Sequence, residues 1–171
     1  MAFGPAHNVD GVRRHIVGFH QDDVGDWVAD LACLHRVHVR HQPPFQDQPW
    51  VLDAARRAER SGTDFDCVLC DVAEMPHDMR LARTAGPYTT DSLLAGLRLD
   101  HRVATRTWAL LRVVAGTATI SMDVTLDRAV RPRLERVLVL GGEQAIPPDV
   151  VHRVTLDPDA VIEIDFLARD V

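Results

Sequence analysis

Three cysteines are the residues best equipped for chemistry: Cys33, Cys67 and Cys70. Zinc takes four sulfur or nitrogen ligands in a tetrahedron, and structural sites draw a close pair from each of two chain segments. Cys67-x-x-Cys70 supplies one such pair, and Cys33-x-His35 supplies a second, with His38 and His41 as substitutes for His35. On an extended strand His35 and His41 share a face with Val37 and Val39, whereas His38 points the other way, so strand geometry leaves the fourth ligand open. Two other uses of the thiols stand beside zinc: a redox dithiol at Cys-x-x-Cys, or three unrelated buried thiols. An odd cysteine count, with no secretory leader over Met1 to Gly11, argues against a disulfide framework. His38, Arg40 and His41 offer a small anion or partner site; the simpler reading makes them solvated positions or support around the metal.

The elements that must position these residues are short. Arg13 to Ala32 reads as a β-hairpin, with Ile16, Val17 and Phe19 on one strand, Trp27, Val28 and Leu31 on the other, and the polar turn Gln21–Asp26 between them. A third short strand carries Val37 and Val39 and ends at Pro43-Pro44. Asp53 is an N-cap for a helix over Ala54–Arg60, with Gly62 as its stop. Asp66–Cys70 then forms a compact knuckle. Large apolar side chains are too few here for a free-standing core, so a small zinc-ribbon-like α+β module held by its metal is expected over 12–72.

The second half changes character. Asp71 to Pro87 reads as a linker and lead-in. Beyond Leu93 the signals are strands: Trp108 to Val114, Thr117 to Val124, Arg136 to Leu140, Val150 to Leu156 and Ala160 to Leu167. In Thr117–Val124 one face carries Ala118, Ile120, Met122 and Val124. Many short strands without a long helix indicate a barrel or sandwich, and a mainly β protein as a whole.

The bulk numbers exclude some roles. The chain has 171 residues, 46% apolar and 26% charged, as in ordinary globular proteins. No apolar run approaches the ~18 residues that a membrane-spanning helix needs. A net charge of −6 argues against nucleic acid as a partner. A cytoplasmic protein that acts on no membrane is the expectation.

Two resemblances refine this picture. Ile16-Val17-Gly18-Phe19-His20-Gln21-Asp22, Gly25-Asp26-Trp27-Val28-Ala29, Cys33-Leu34-His35, His38–Pro44, Pro49-Trp50-Val51 and the terminal Cys67-x-x-Cys70 are similar to a small uncharacterised bacterial family, over about residues 13 to 70. That family usually has glycine where Leu34 stands. Further on, the run Gly141 to His152, with a glycine turn, Ile146-Pro147-Pro148 and then His152, resembles the second cupin motif, and His101 lies near the first-motif histidine position. Val103 and Ala109 occupy the approximate places of that motif's second histidine and glutamate, and Asp149 replaces a common glycine.

Met75-Pro76, Arg83-Thr84, Pro87-Tyr88, Leu93-Leu94, Trp108, Gly116 and Ile164-Asp165-Phe166 extend the likeness to the TehB/YeaR-like cupins, often labelled tellurite-resistance-like. The resemblance implies a cupin-type antiparallel β-barrel over 75–171 that forms a homodimer and holds a divalent metal of unspecified identity. Two histidines alone make a poor site. Asp165 is the chosen third ligand beside His101 and His152, because Val161, Glu163, Asp165 and Leu167 share one strand face. Against this, the histidines can be hydrogen-bonded interior residues, and Glu163 and Asp165 can face solvent. No glycine-rich nucleotide loop follows a strand, so methyl transfer is not expected.

Three functions follow. One is a stress-associated metal-binding protein that takes a small ligand or oxyanion. Another is a metal-dependent cupin enzyme with iron, manganese, nickel or zinc at His101, His152 and Asp165. The last is a degenerate barrel that works through protein contacts.

Overall fold

A computed structural model describes residues 12–124 and 134–169. It is mainly β, built from antiparallel sheets, one of them curled into a half-barrel. The chain divides into two compact units, one of Arg13–Cys67 and one of Val12 with the described residues from Val68 onward. No helix among the described residues is long and apolar enough to cross a membrane.

The first unit is a four-stranded sheet of order β3-β2-β1-β4. Its strands are β1 (Arg13–Gln21), β2 (Trp27–Leu31), β3 (Arg36–His38) and β4 (Asp64–Asp66). The hairpin expected from the apolar pattern is present, and its turn is closed by Asp22, which accepts from the backbone N–H groups of Val24 and Asp26. Between β3 and β4 lie a 3-10 turn, Pro49–Leu52, and helix α1 (Ala54–Arg60). Asp53 caps α1 as expected, accepting from Arg56 N–H at 3.0 Å. Gly62, at φ +82°, follows the last turn in the left-handed region that stops a helix. Stacking ties the helix to the sheet and to the 3-10 turn: the Arg57 guanidinium lies 3.5 Å over the Trp27 ring of β2, and that of Arg60 lies 4.2 Å over Trp50 of the turn. Strand β4 is a feature the sequence pattern did not announce, because three residues are too few to show alternation.

The second unit opens with the one-turn helix α2 (Val68–Asp71). The stretch read as a linker contains instead a ten-residue strand, β5 (Arg80–Thr89). Its glycine, proline and polar residues conceal it, since it is an edge strand exposed along most of its length and has little apolar alternation to display. A short helix, α3 (Ala95–Arg98), precedes β6 (Trp108–Ala115), β7 (Thr117–Met122), β8 (Leu134–Val139), β9 (Glu143–Ile146), β10 (His152–Leu156) and β11 (Val161–Ala168). They form a three-stranded sheet β10-β7-β8 and a four-stranded sheet β5-β11-β6-β9. The expected inward face of β7 holds: Ala118, Ile120, Met122 and Val124 are buried, joined by Leu111, Val113, Ile146, Val154 and Ile162 in one apolar core. Gly116 turns β6 into β7 at φ +65°, and a Cβ there would lie 2.7 Å from Ala160 Cα, so only glycine fits.

Candidate metal centre and the barrel histidines

Two chain segments build the metal centre. The first is the turn between β2 and β3, closed by Leu34 N–H on Leu31 C=O at 2.8 Å and by Leu31 N–H on His35 C=O at 2.9 Å. Leu34 takes φ +72°, the left-handed conformation in which glycine is at ease and leucine is strained by roughly 1 kcal/mol. That bend turns Cys33 and His35 to the same side. The second segment is the knuckle after β4, where Cys67 precedes α2 and Cys70 lies within it. Ala73 and Glu74 close the helix back on the Cys70 and Leu69 carbonyls.

The four side chains Cys33, His35, Cys67 and Cys70 are all buried, and one ligand atom from each lies within 4.8 Å of the other three. Cys33 Sγ and Cys67 Sγ are 3.8 Å apart, and His35 Nδ1 is 3.4 Å from the first and 3.3 Å from the second. A tetrahedron with Zn–S of about 2.3 Å and Zn–N of about 2.0 Å has S···S edges of about 3.8 Å and S···N edges of about 3.5 Å. The edges among Cys33, His35 and Cys67 therefore match a zinc tetrahedron, and Cys70, within 4.8 Å of the other three, completes a donor set of the right type. Among the described residues this is the one group of three or more His, Cys, Asp or Glu with such geometry. Burial opposes charge on His35, yet its hydrogen bonds to Cys33 and Cys67, and their negative charge, outweigh that and push its pKa up to about 9. Without an ion, a proton sits where the metal would bind, so metal binding must displace it.

Of the three histidines that the sequence left open, His35 is the one that lies with the cysteines. The two substitutes are held elsewhere. His38 Nε2 lies 2.9 Å from Asp22, and the backbone N–H of Gln48 donates to His41 Nδ1 at 3.1 Å. Arg40 is bound to Asp26 at 2.6 Å. Alternation along a strand left this choice open, and β3 in fact spans only Arg36–His38, with His35 and His41 outside it. The polar residues considered as an anion site are each matched to a partner; the His38–Asp22 and Arg40–Asp26 pairs fasten the β1–β2 turn to β3 and the residues after it. Asp22 is held below the usual carboxylate range, chiefly by its hydrogen bond to His38.

In the second unit His101 and His152 do meet. They form an isolated antiparallel bridge, each backbone N–H donating to the other's carbonyl at 2.9 Å, with ring centroids 4.0 Å apart. Each ring also donates Nδ1–H to the carbonyl two residues back, His101 to Leu99 and His152 to Val150, both at 2.9 Å.

Asp165 does not join them, and this corrects the expected ligand set. Its face of β11 is opposite to the buried Ile162 and Ile164, whereas His152 alternates with the core residue Val154. Its two oxygens are taken by Thr84 Oγ1 at 2.6 Å and Arg112 Nη2 at 2.7 Å. Arg112 also binds Glu143 at 2.8 Å and approaches Glu163 at 3.7 Å. Glu143 and then Asp165 raise its pKa further and fix its charge. Arginine numbers in this chain are high, so nothing in the sequence singled out Arg112; the register Glu163 to Arg112 to Glu143 across three strands reveals it. Val103 and Ala109, in place of metal ligands, are core residues. Asp149, in place of glycine, takes φ +59°, a conformation aspartate tolerates better than most residues.

These features define a mainly β protein whose N-terminal part carries a buried Cys3His cluster sized for a metal ion. Residues 17–74, about a third of the chain, match a family described as "Protein of unknown function (DUF3565)", and all four cluster residues lie inside the match. No curated protein matches the chain. Among solved structures, a protein from E. coli (strain K12) is similar with TM-score 0.50 and 17% identity, covering 57% of this chain and 97% of its own. TehB from Haemophilus influenzae is similar with TM-score 0.48 and 18% identity, covering 56% of this chain and 33% of its own, so the chain spans about a third of that protein. The E. coli likeness concerns fold alone.

Proposed function

We propose that Cys33, His35, Cys67 and Cys70 hold a structural zinc ion that staples a ribbon-like module, residues 12–72, to which a cupin-type barrel, residues 75–171, adds the binding of a small ligand or oxyanion. The observation that carries the metal part is the match of the 3.8, 3.4 and 3.3 Å edges to a zinc tetrahedron. Four protein ligands fill the coordination shell, so the ion's role is to organise the chain rather than to hold a substrate. The stress-associated, tellurite-resistance-like role rests on the sequence resemblance. Metal analysis of purified protein tests the reading: one equivalent of zinc is expected, lost in Cys67→Ser. A metal-free protein with a folded ribbon would refute it.

A second reading keeps a metal in the barrel, and the paired His101 and His152 rings favour it. Both Nδ1 atoms are fixed by carbonyls, as in metal-ligating imidazoles. With Asp165 bound to Arg112, the remaining ligands would be water or substrate, the open arrangement of a metal-dependent enzyme. A second equivalent of iron, manganese, nickel or zinc, lost in both His101→Ala and His152→Ala, is the expected result. Its absence would leave the barrel as a metal-free ligand-binding or protein-contact module.

A further inference from the structure

Cys33, on the β2–β3 turn, and Cys67, just past β4, come from segments 34 residues apart, yet their Sγ atoms are 3.8 Å from each other inside the ribbon. They join the same two segments that the ion would join. Resting on the zinc reading, we infer that Cys33 and Cys67 are a reserve staple: once released from the metal, they close a disulfide under a hydroperoxide and keep the ribbon folded.

The step balances. One thiolate attacks the peroxide O–O bond, becoming a sulfenic acid as the leaving oxygen takes a proton to form water or an alcohol. The other thiolate attacks that sulfur, forming the S–S bond and expelling hydroxide, which a second proton converts to water. Two electrons leave the sulfurs and reduce one peroxide. Cys70 and His35 are left over.

Two considerations select this pair. A bond within Cys67-x-x-Cys70 would leave the two segments unjoined, so it gives the ribbon nothing that the ion gave. A bond from Cys33 to Cys67 joins sulfurs already 3.8 Å apart and closes a longer loop than one within Cys67-x-x-Cys70, removing more freedom from the unfolded chain. Metal and disulfide are then alternatives, each holding the fold when the other is gone.

The test uses the full chain, stripped by a chelator under reductant, freed of both, and treated with hydrogen peroxide. Peptide mass mapping should find Cys33 joined to Cys67 and Cys70 open to alkylation, with the amide protection of β1 and β2 that chelation under reductant removes regained on oxidation. The zinc-loaded protein should oxidise several-fold more slowly, and dithiothreitol without zinc should remove the protection. A Cys67–Cys70 linkage, three alkylatable thiols, or loss of protection on oxidation would overturn the inference. Cys70→Ser should still form the bond even where it binds no zinc. Failure of the zinc reading would appear separately, as absence of metal in untreated protein.

Discussion

The ribbon and the barrel solve the problem of a small core in different ways. In the second unit, strands contribute alternate residues to one apolar cluster from Leu93 to Ile164, and Trp108, Leu111, Ile120, Met122 and Ile162 are fully buried. Burial of such side chains contributes roughly 1.5–3 kcal/mol each. In the first unit the buried apolar side chains are fewer and smaller: Ile16, Val28, Ala29, Leu31, Leu34, Val39 and Val51, with Cys33, His35 and Cys67 buried too. Helix α1 buries no residue and relies on two arginine–tryptophan stacks. On the proposed zinc reading, polar chemistry in the second unit can vary without loss of the fold, whereas in the first the fold depends on the Cys/His cluster itself.

The largest expected effect separates the two units. Metal binding by small zinc modules is worth roughly 10–16 kcal/mol, more than such a module's whole stability. Chelation, or Cys67→Ser under reductant, should therefore unfold the ribbon and spare the barrel. Hydrogen exchange resolved by strand checks this: protection should vanish in β1–β3 and persist in β6, β7 and β11.

The reverse change sits in the barrel core. Ile120→Ala should lower barrel stability by about 2–5 kcal/mol through lost burial and a cavity. Zinc content should stay at one equivalent. If zinc were lost too, the units would not be energetically separate.

A smaller effect tests the fate of Asp165. Asp165→Asn should cost about 1–2 kcal/mol in denaturant unfolding, because the buried side chain keeps Thr84 but loses its charge partner Arg112. The metal content of the barrel, whatever it is, should not change. A lost equivalent would restore Asp165 as a ligand.

The smallest concerns the hairpin turn. Asp22 has a lowered pKa in the folded state, so its contribution is present above the ordinary value of 3.8 and fades as pH falls through the folded value. Asp22→Asn should give a slight drop in ribbon melting temperature at neutral pH that disappears in acid. An equal drop at both pH values would assign the effect to backbone capping by the side chain instead of to the His38 pair.

Some of this protein is written locally in its sequence. Cys67-x-x-Cys70 and Cys33 announced a cluster of metal-ligand type, its fourth member open among His35, His38 and His41, because ligand spacing within a turn is a short-range property. The capping Asp53, the Gly116 turn and the buried face of β7 were equally legible, since each depends on a few neighbouring residues. Long-range registration decided the rest. It chose His35 over His38 and His41, because Leu34 could take the left-handed bend and β3 was too short to carry the others. It paired His101 with His152 across a bridge, and it gave Asp165 to Arg112, on the β11 face opposite the core residues Ile162 and Ile164. Alternation along one strand tells which residues share a face. Only the packing of neighbouring strands tells what that face meets.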